Sequence, residues 1–122
     1  MTRIKKRLKS LLPVLKERNR YVVFEIISGS KIRDFRAVSN QVLASYSRLY
    51  GEAGLAKANI LPLADKWNAN KQKGIIKVNH RHVHELKSAF LFINRIRHKD
   101  AIIRSIGTSG ILKKAHSKYI AS

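Results

Sequence analysis

The amino-acid sequence predicts an α+β sandwich of split β-α-β-β-α-β order, the ferredoxin-like arrangement, in which two helices cover one face of a four-stranded antiparallel sheet. Three observations predict it. The stretch Lys73–Asn79 is short, β-branched and opened by glycine, as buried strands are. Val83, Leu86, Phe90 and Ile93 then recur at helical spacing. The earlier chain shows the same change from strand to helix, which completes the pair of units.

The first unit begins with Tyr21–Ile27, the clearest strand in the chain. It is nearly apolar on both faces, which favours a central strand that is covered from both sides. A helix is predicted from Phe35 to Tyr50, with Asp34 at the N-cap, where its carboxylate accepts from free backbone N–H groups. Gly51 and Gly54 predict the end of that helix.

The second unit begins with a weaker strand within Leu55–Trp67. Pro62 cannot donate to a strand ladder, so this strand, or part of it, is expected at a sheet edge. The remaining predicted elements are a strand from Gly74 to Asn79, a helix from about His82 to Ile96, a strand from Ala101 to Ile106, and one or two basic helical turns within Ile111–Tyr119.

Composition limits the possible functions. The 122 residues suit one domain, and 44% hydrophobic content favours a globular fold. The chain has no cysteine and no run of about eighteen apolar residues, so we expect neither disulfides nor a membrane span. Its 26 Lys and Arg against 7 Asp and Glu leave a net charge of +19. Such a charge favours a polyanionic partner, foremost nucleic acid.

Residues 1–19 are interpreted as a basic N-terminal arm or helix, and 20–122 as a single sandwich domain with a basic C-terminal segment. Basic residues interrupt every apolar run of the arm, which argues against a secretory signal. The near absence of acidic residues would also suit an organellar transit peptide. We favour an arm that becomes ordered on RNA or on a protein partner.

The predicted topology is that of RNA-recognition motifs, whose main signature would fall on residues 73–78. Isoleucine and lysine stand there in place of the aromatic residues that stack bases, so we expect a similarity of fold rather than base stacking on the sheet.

No set of residues predicts catalysis by the protein. On a helix only His80 and His84 could chelate a metal together, and no third ligand is apparent nearby. The carboxylates are few and scattered, and Glu25 is expected to pair with Lys77 across the sheet if their strands are neighbours. Ser109 has no base to activate it.

Two surfaces are candidates for binding. Residues 107–110 (Gly-Thr-Ser-Gly) before Lys113 and Lys114 could hold a phosphate at a helix start, or could form an ordinary turn with a Ser or Thr cap. Leu91 or Phe92 lies off the apolar stripe of its helix, which predicts a contact with another chain. The second face of the sheet, which the two helices leave uncovered, favours the same conclusion.

Several segments in this order resemble the ribonuclease P protein component 2 family, the archaeal and eukaryotic Pop-five family. They are 20–27 (RYVVFEII), 50–54 (YGEAG), 74–78 (GIIKV), 82–86 (HVHEL) and 102–114 (IIRSIGTSGILKK). The resemblance covers residues 10–120, and the length looks archaeal. The long basic arm before Arg20 departs from the family pattern.

The resemblance implies a non-catalytic, cytoplasmic subunit of the ribonucleoprotein that removes the 5′ leader of precursor tRNA. In that family the RNA carries the chemistry with Mg²⁺, and the protein binds no cofactor. The expected partners are the ribonuclease P RNA, precursor tRNA in the holoenzyme, a larger TIM-barrel-like protein subunit and a second copy of the chain, with no membrane.

We predict RNA contacts through the basic loops and termini, since A-form RNA presents phosphates and 2′-hydroxyls rather than readable bases. The predicted contacts are Lys5, Lys6, Arg7, Lys9, Lys71, Lys73, Arg104, Ser109, Gly110, Lys113 and Lys114. The alternatives are a ribosomal or other structural RNA-binding protein, and a metal-dependent nuclease that uses His80 and His84.

Overall fold

The computed structural model describes residues 18–121, and its strands and helices all lie within that part of the chain. The strands are β1 (Asn19–Ser28), β2 (Leu61–Pro62), β3 (Lys73–Asn79), β4 (Arg95–Ile96) and β5 (Lys99–Ser109). The helices are α1 (Phe35–Ala58), α2 (Val83–Leu91) and α3 (Leu112–Ala115), and α3 continues as a π-helical turn, His116–Ile120. The strands form one antiparallel sheet in the order β2-β3-β1-β5-β4, which confirms the ferredoxin-like prediction.

Strand β1 is central, as its apolar sequence predicts. It pairs with β3 on one side and with β5 on the other, with a bulge in the β5 pairing between Val23 and Phe24. The even-numbered residues Val22, Phe24 and Ile26 face α1 and α2 in the main core. The ring of Phe24 lies 6.1 Å from that of Trp67 and 6.0 Å from that of Phe90. This aromatic contact joins the sheet to α2.

The C-terminal segment, residues 112–120, covers part of the second face of the sheet. Ala115 and Ile120 are buried against Val23 and Ile75, whose side chains are fully buried. The sequence alone predicts that a partner chain covers this face, because its residues are apolar. The structure shows that the chain itself supplies the cover over Val23 and Ile75.

Helix α1 is longer than predicted. Gly51, with φ 75° and ψ 175°, kinks the helix instead of ending it. The chain resumes helical geometry because Leu55 and Ala58 reach the core on the far side of the kink. The end comes at Asn59 in the left-handed region (φ 51°), a conformation that asparagine tolerates better than most residues. The predicted stop at Gly51 and Gly54 is therefore wrong.

Helix α2 is shorter than predicted, and a hairpin takes up the rest. After Leu91 the backbone N–H of Ile93 donates to the carbonyl of Phe90 (3.1 Å), and strands β4 and β5 follow. The hairpin turn places Arg97 (φ 48°) and His98 (φ 66°) in the left-handed region, at a cost of order 1 kcal/mol each. The sequence does not reveal this turn because it lacks the glycine or asparagine that usually occupies it.

Two strand predictions also need correction. The second strand is only Leu61–Pro62, although it lies at the sheet edge as Pro62 requires. Strand β5 is Lys99–Ser109 rather than the predicted Ala101–Ile106, and Gly107 within it pairs with Val23 of β1. In the β1–β3 register Glu25 lies opposite Lys73 rather than Lys77.

Candidate nucleic-acid interface

The predicted contacts of the N-terminal arm, Lys5, Lys6, Arg7 and Lys9, lie outside the residues that the structure describes. The other predicted contacts fall on β3, β5, the C-terminal segment and the loop before β3. Their surroundings differ from one position to the next.

Lys113 and Lys114 are exposed on α3. Together with Ser117 and Lys118 they line an open cleft of about 480 Å³. Three lysines on one short segment create a local positive potential, and each ammonium is a point charge suited to a phosphate. This group fits the predicted RNA contact at the C-terminus best.

Ser109 and Gly110 form the turn before α3. The Ser109 hydroxyl accepts from the backbone N–H of Ile111 at 3.1 Å and lies 3.1 Å from the Ile111 carbonyl. This is an ordinary serine turn, the alternative to a phosphate site at this position. Contact of Ser109 and Gly110 with RNA stays a prediction.

Lys71 and Lys73 hold the C-terminal segment against the sheet. The Nζ of Lys71 donates to the Ile120 carbonyl at 2.7 Å, and the Nζ of Lys73 donates to the Tyr119 carbonyl at 3.3 Å. Ammonium groups stabilise the carbonyl end of a helix because those carbonyls have no partner within the helix. The two lysines therefore position Lys113 and Lys114, whether or not they also contact RNA.

Arg104 lies on the open part of the second sheet face. Its Nε and its NH2 nitrogen lie 2.9 Å and 2.8 Å from the Glu25 carboxylate. Next to this pair, Ile27 and Ile102 are register partners and are both exposed. Arg104 is thus partly neutralised, and its RNA contact stays a prediction.

Sequence reasoning missed a second basic group, which tertiary folding brings together. We call it the hairpin cleft, a space of about 300 Å³ lined by Lys31, Ile32, Arg33, Asp34, Ile96, Arg97 and Lys99. The signal that could have revealed it is the basic run at residues 95–99, whose first residues fall within the predicted second helix.

Leu91 and Phe92 are both exposed, with 81% and 64% of their surface accessible. The sequence predicts that Leu91 or Phe92 lies outside the core, and both do, while the partner interface itself stays a prediction. Leu91 also lines a cleft of about 310 Å³ between α2 and β5.

The two histidines proposed for a metal, His80 and His84, lie in different elements. His80 belongs to a 3₁₀ turn, and its Nδ1 lies 3.1 Å from the Arg18 carbonyl. His84 is exposed in the first turn of α2, where it lines the cleft between α2 and β5. Among residues 18–121 no three potential ligands are grouped around one point.

Several carboxylates are occupied in ion pairs. Asp34 caps α1 by accepting from the Arg36 N–H at 3.0 Å and also pairs with Arg97. Asp100 pairs with Arg95 at 3.5 Å, on the outside of the hairpin. Each of these carboxylates therefore has a cation beside it.

Tyr46 has the one clearly shifted pKa in the described part of the chain. Burial, with a smaller contribution from the negative charge of Glu85 and from Tyr50, raises the pKa of its hydroxyl from 10.0 to about 12. Its ring packs on Tyr50 at 4.8 Å. The shift reports a packed core rather than a reactive group.

No helix within residues 18–121 is long and apolar enough to cross a membrane.

Comparison with known proteins agrees with these features. Ribonuclease P protein component 2 of Pyrococcus horikoshii is 33% identical over 117 residues, 95% of this chain and 94% of that one. The protein of the same name from Methanosarcina barkeri is 33% identical over 113 residues, 93% of this chain and 80% of that one. A chain in the cryo-EM structure of yeast ribonuclease MRP shares the fold, with a TM-score of 0.58 and 14% identity over 77% of this chain and 75% of that chain.

A family model described as the Rpp14/Pop5 family matches residues 20–120, which is nearly all of the region that the sheet and helices occupy. The chain therefore belongs to the Rpp14/Pop5 family.

Proposed function

We propose that this chain is a non-catalytic protein subunit of ribonuclease P, the ribonucleoprotein that removes the 5′ leader of precursor tRNA. The observation that carries the proposal is the match, over more than nine-tenths of the chain, to proteins named ribonuclease P protein component 2. The occupied carboxylates and the basic C-terminal segment support it.

The mechanism is electrostatic. A catalytic RNA must bring its own phosphates, the substrate phosphates and Mg²⁺ together, and the phosphates repel one another. Lys113, Lys114 and Lys118 add fixed positive charge at one place on the RNA and release condensed counterions. The active RNA fold then forms at a lower Mg²⁺ concentration, and the Mg²⁺ is held by the RNA.

The partners follow from the same proposal. The RNA and precursor tRNA occupy the basic surfaces, and a larger TIM-barrel-like protein subunit covers Leu91 and Phe92. A second copy of the chain is the alternative partner for Leu91 and Phe92, and co-elution of the Phe92→Asp variant tests both. We place the assembled particle in the cytoplasm.

Reconstitution tests the proposal. Ribonuclease P RNA and the other protein subunits are assembled with and without this chain, and precursor tRNA cleavage is measured across a Mg²⁺ series. We expect the chain to lower the Mg²⁺ needed for half-maximal cleavage. We expect no cleavage from the RNA-free chain at any Mg²⁺ concentration, and cleavage at the mature 5′ end by that preparation would overturn the non-catalytic role.

A second experiment addresses the ribosomal alternative. The tagged chain is isolated from its own cells, and the bound RNA is sequenced. Enrichment of ribonuclease P RNA is expected, whereas enrichment of ribosomal RNA without it would refute the proposal.

A further inference from the structure

We propose that the hairpin cleft is a second site for the RNA sugar-phosphate backbone. The inference rests on the proposed function, because it names an additional place where the same RNA is held. It assigns a binding role to Lys31, Arg33 and Lys99, which no sequence motif singles out.

The charge of the hairpin cleft favours an anion. Four cations line it against one carboxylate, that of Asp34. Both oxygens of that carboxylate are already used, one by the Arg36 N–H and the other by Arg97. Lys31, Arg33 and Lys99 are exposed, and within residues 18–121 the ion pairs do not include them.

Both walls of the hairpin cleft are held in place by buried contacts. On one wall the buried Gln72 side chain accepts from the Ile32 N–H at 2.9 Å and donates to the Ile32 carbonyl at 2.8 Å. Ile32 is 4% exposed, so its neighbours Lys31 and Arg33 are presented from an anchored backbone. A fixed presentation reduces the side-chain and loop ordering that binding must otherwise impose.

The other wall is the hairpin. Ile96 is fully buried, and Arg97 ties the turn to the N-cap residue of α1. The turn keeps Arg97 and His98 in the left-handed region, where glycine or asparagine would be less strained. Backbone strain that persists in a fold often marks a functional position, and Arg97 is one of the cations that line the cleft.

The lining chemistry favours a phosphate backbone, and the proposed function makes that backbone RNA. Its apolar residues, Ile32 and Ile96, are buried, so the cleft offers no exposed apolar group for a membrane and no aromatic ring for base stacking. Charges alone at fixed spacing match phosphates, which all RNA sequences share.

The hairpin cleft and the turn that leads into the C-terminal segment lie at opposite ends of the β1–β5 pair. Tyr21 pairs with Ser109 at one end, and Ser28 pairs with Ala101 at the other. Seven residue steps along a strand span roughly 23 Å. This exceeds the Debye length at physiological salt, about 8 Å, so the two surfaces should contribute independently to binding.

The test measures the salt dependence of binding for the full chain with two probes, a ribonuclease P RNA transcript and a mixed-sequence RNA duplex. The cleft variant carries Lys31→Ala, Arg33→Ala and Lys99→Ala, which leave the Asp34–Arg97 pair intact. The control carries Arg48→Ala, Lys57→Ala and Arg81→Ala, exposed positions whose removal lowers the net charge equally. Thermal unfolding verifies that both variants remain folded.

We expect the cleft variant to lose about 0.7 to 0.9 of log–log salt slope for each phosphate contact, hence about 2.1 to 2.7 for three contacts, on both probes. Near 0.15 M salt this corresponds to roughly 50- to 170-fold weaker binding. The control should keep its slope within about 0.5 of the original chain.

Equal slopes for the cleft variant and the control would overturn the inference. If the transcript and the duplex both bind through the cleft but the chain does not support ribonuclease P cleavage, the proposed function fails and the cleft assignment stands. If cleavage is supported and the cleft variant binds like the control, only the cleft assignment fails.

Discussion

The contact between Gly107 and the ring of Tyr119 makes a sharp prediction about the C-terminal segment. A Cβ at Gly107 would lie 2.1 Å from Tyr119 Cζ and 2.5 Å from its Cε1 and Cε2. Carbon atoms pack at about 3.5 to 4.0 Å, so Gly107→Ala would force the ring back by about 1.5 Å. The ring lies flat on the strand only because glycine stands there.

The segment cannot move away without loss. Its departure would expose Ile120, Val23 and Ile75, each worth about 1.5 to 3 kcal/mol when buried, and would break the bonds from Lys71 and Lys73. The segment should therefore stay on the sheet under strain. Overpacking of this kind costs about 1 to 3 kcal/mol, which is the loss we expect in the free energy of unfolding.

Urea denaturation measures that loss, and the rate of tryptic cleavage after Lys118 reports loosening of the segment. Gly29→Ala is the matched control, because a Cβ there meets nothing within 4 Å. Both variants lower the conformational entropy of the unfolded chain by replacing a glycine, so the control accounts for that stabilisation. A Gly107→Ala protein as stable and as resistant to trypsin as Gly29→Ala would refute the packing argument.

Three further predictions concern the binding surfaces and the core. Phe92→Asp should leave circular dichroism unchanged, since Phe92 is exposed, yet abolish co-elution with the larger protein subunit or with a second copy; normal assembly would place the interface elsewhere. Replacing Lys113 and Lys114 with alanine should lower the salt slope of RNA binding by about 0.7 to 0.9 per contact for all sequences alike, and an unchanged slope would remove this end from the RNA. Because the pKa of Tyr46 is about 12 in the folded chain and 10.0 otherwise, its stabilising contribution is complete below pH 10 and is lost as the pH rises to 12. The stability difference between the original chain and Tyr46→Phe should change by about 2 kcal/mol across that range, and a constant difference would contradict the assigned shift.

Local patterns in the sequence determined the class of fold and its central elements. The apolar runs of β1 and β3 predict buried strands, and Asp34 predicts the start of α1, because these signals depend on side chains close together in the chain. Counting apolar residues against one helix face predicts that Leu91 or Phe92 is exposed, and the structure shows that both are. The family resemblance rests on the same local segments.

Tertiary structure decided the features that depend on residues far apart in the chain. The local sequence predicts that α1 ends at Gly51, but the helix continues because Ala58 beyond it is buried in the core. The local sequence predicts that Lys71 and Lys73 face solvent, but both donate hydrogen bonds to backbone carbonyls almost fifty residues later in the chain. The hairpin cleft joins residues 31–34 to residues 96–99, and only the pairing of β1 with β5 brings them together. A charged residue can be counted from the sequence, but its partners are determined by the packing of the sheet.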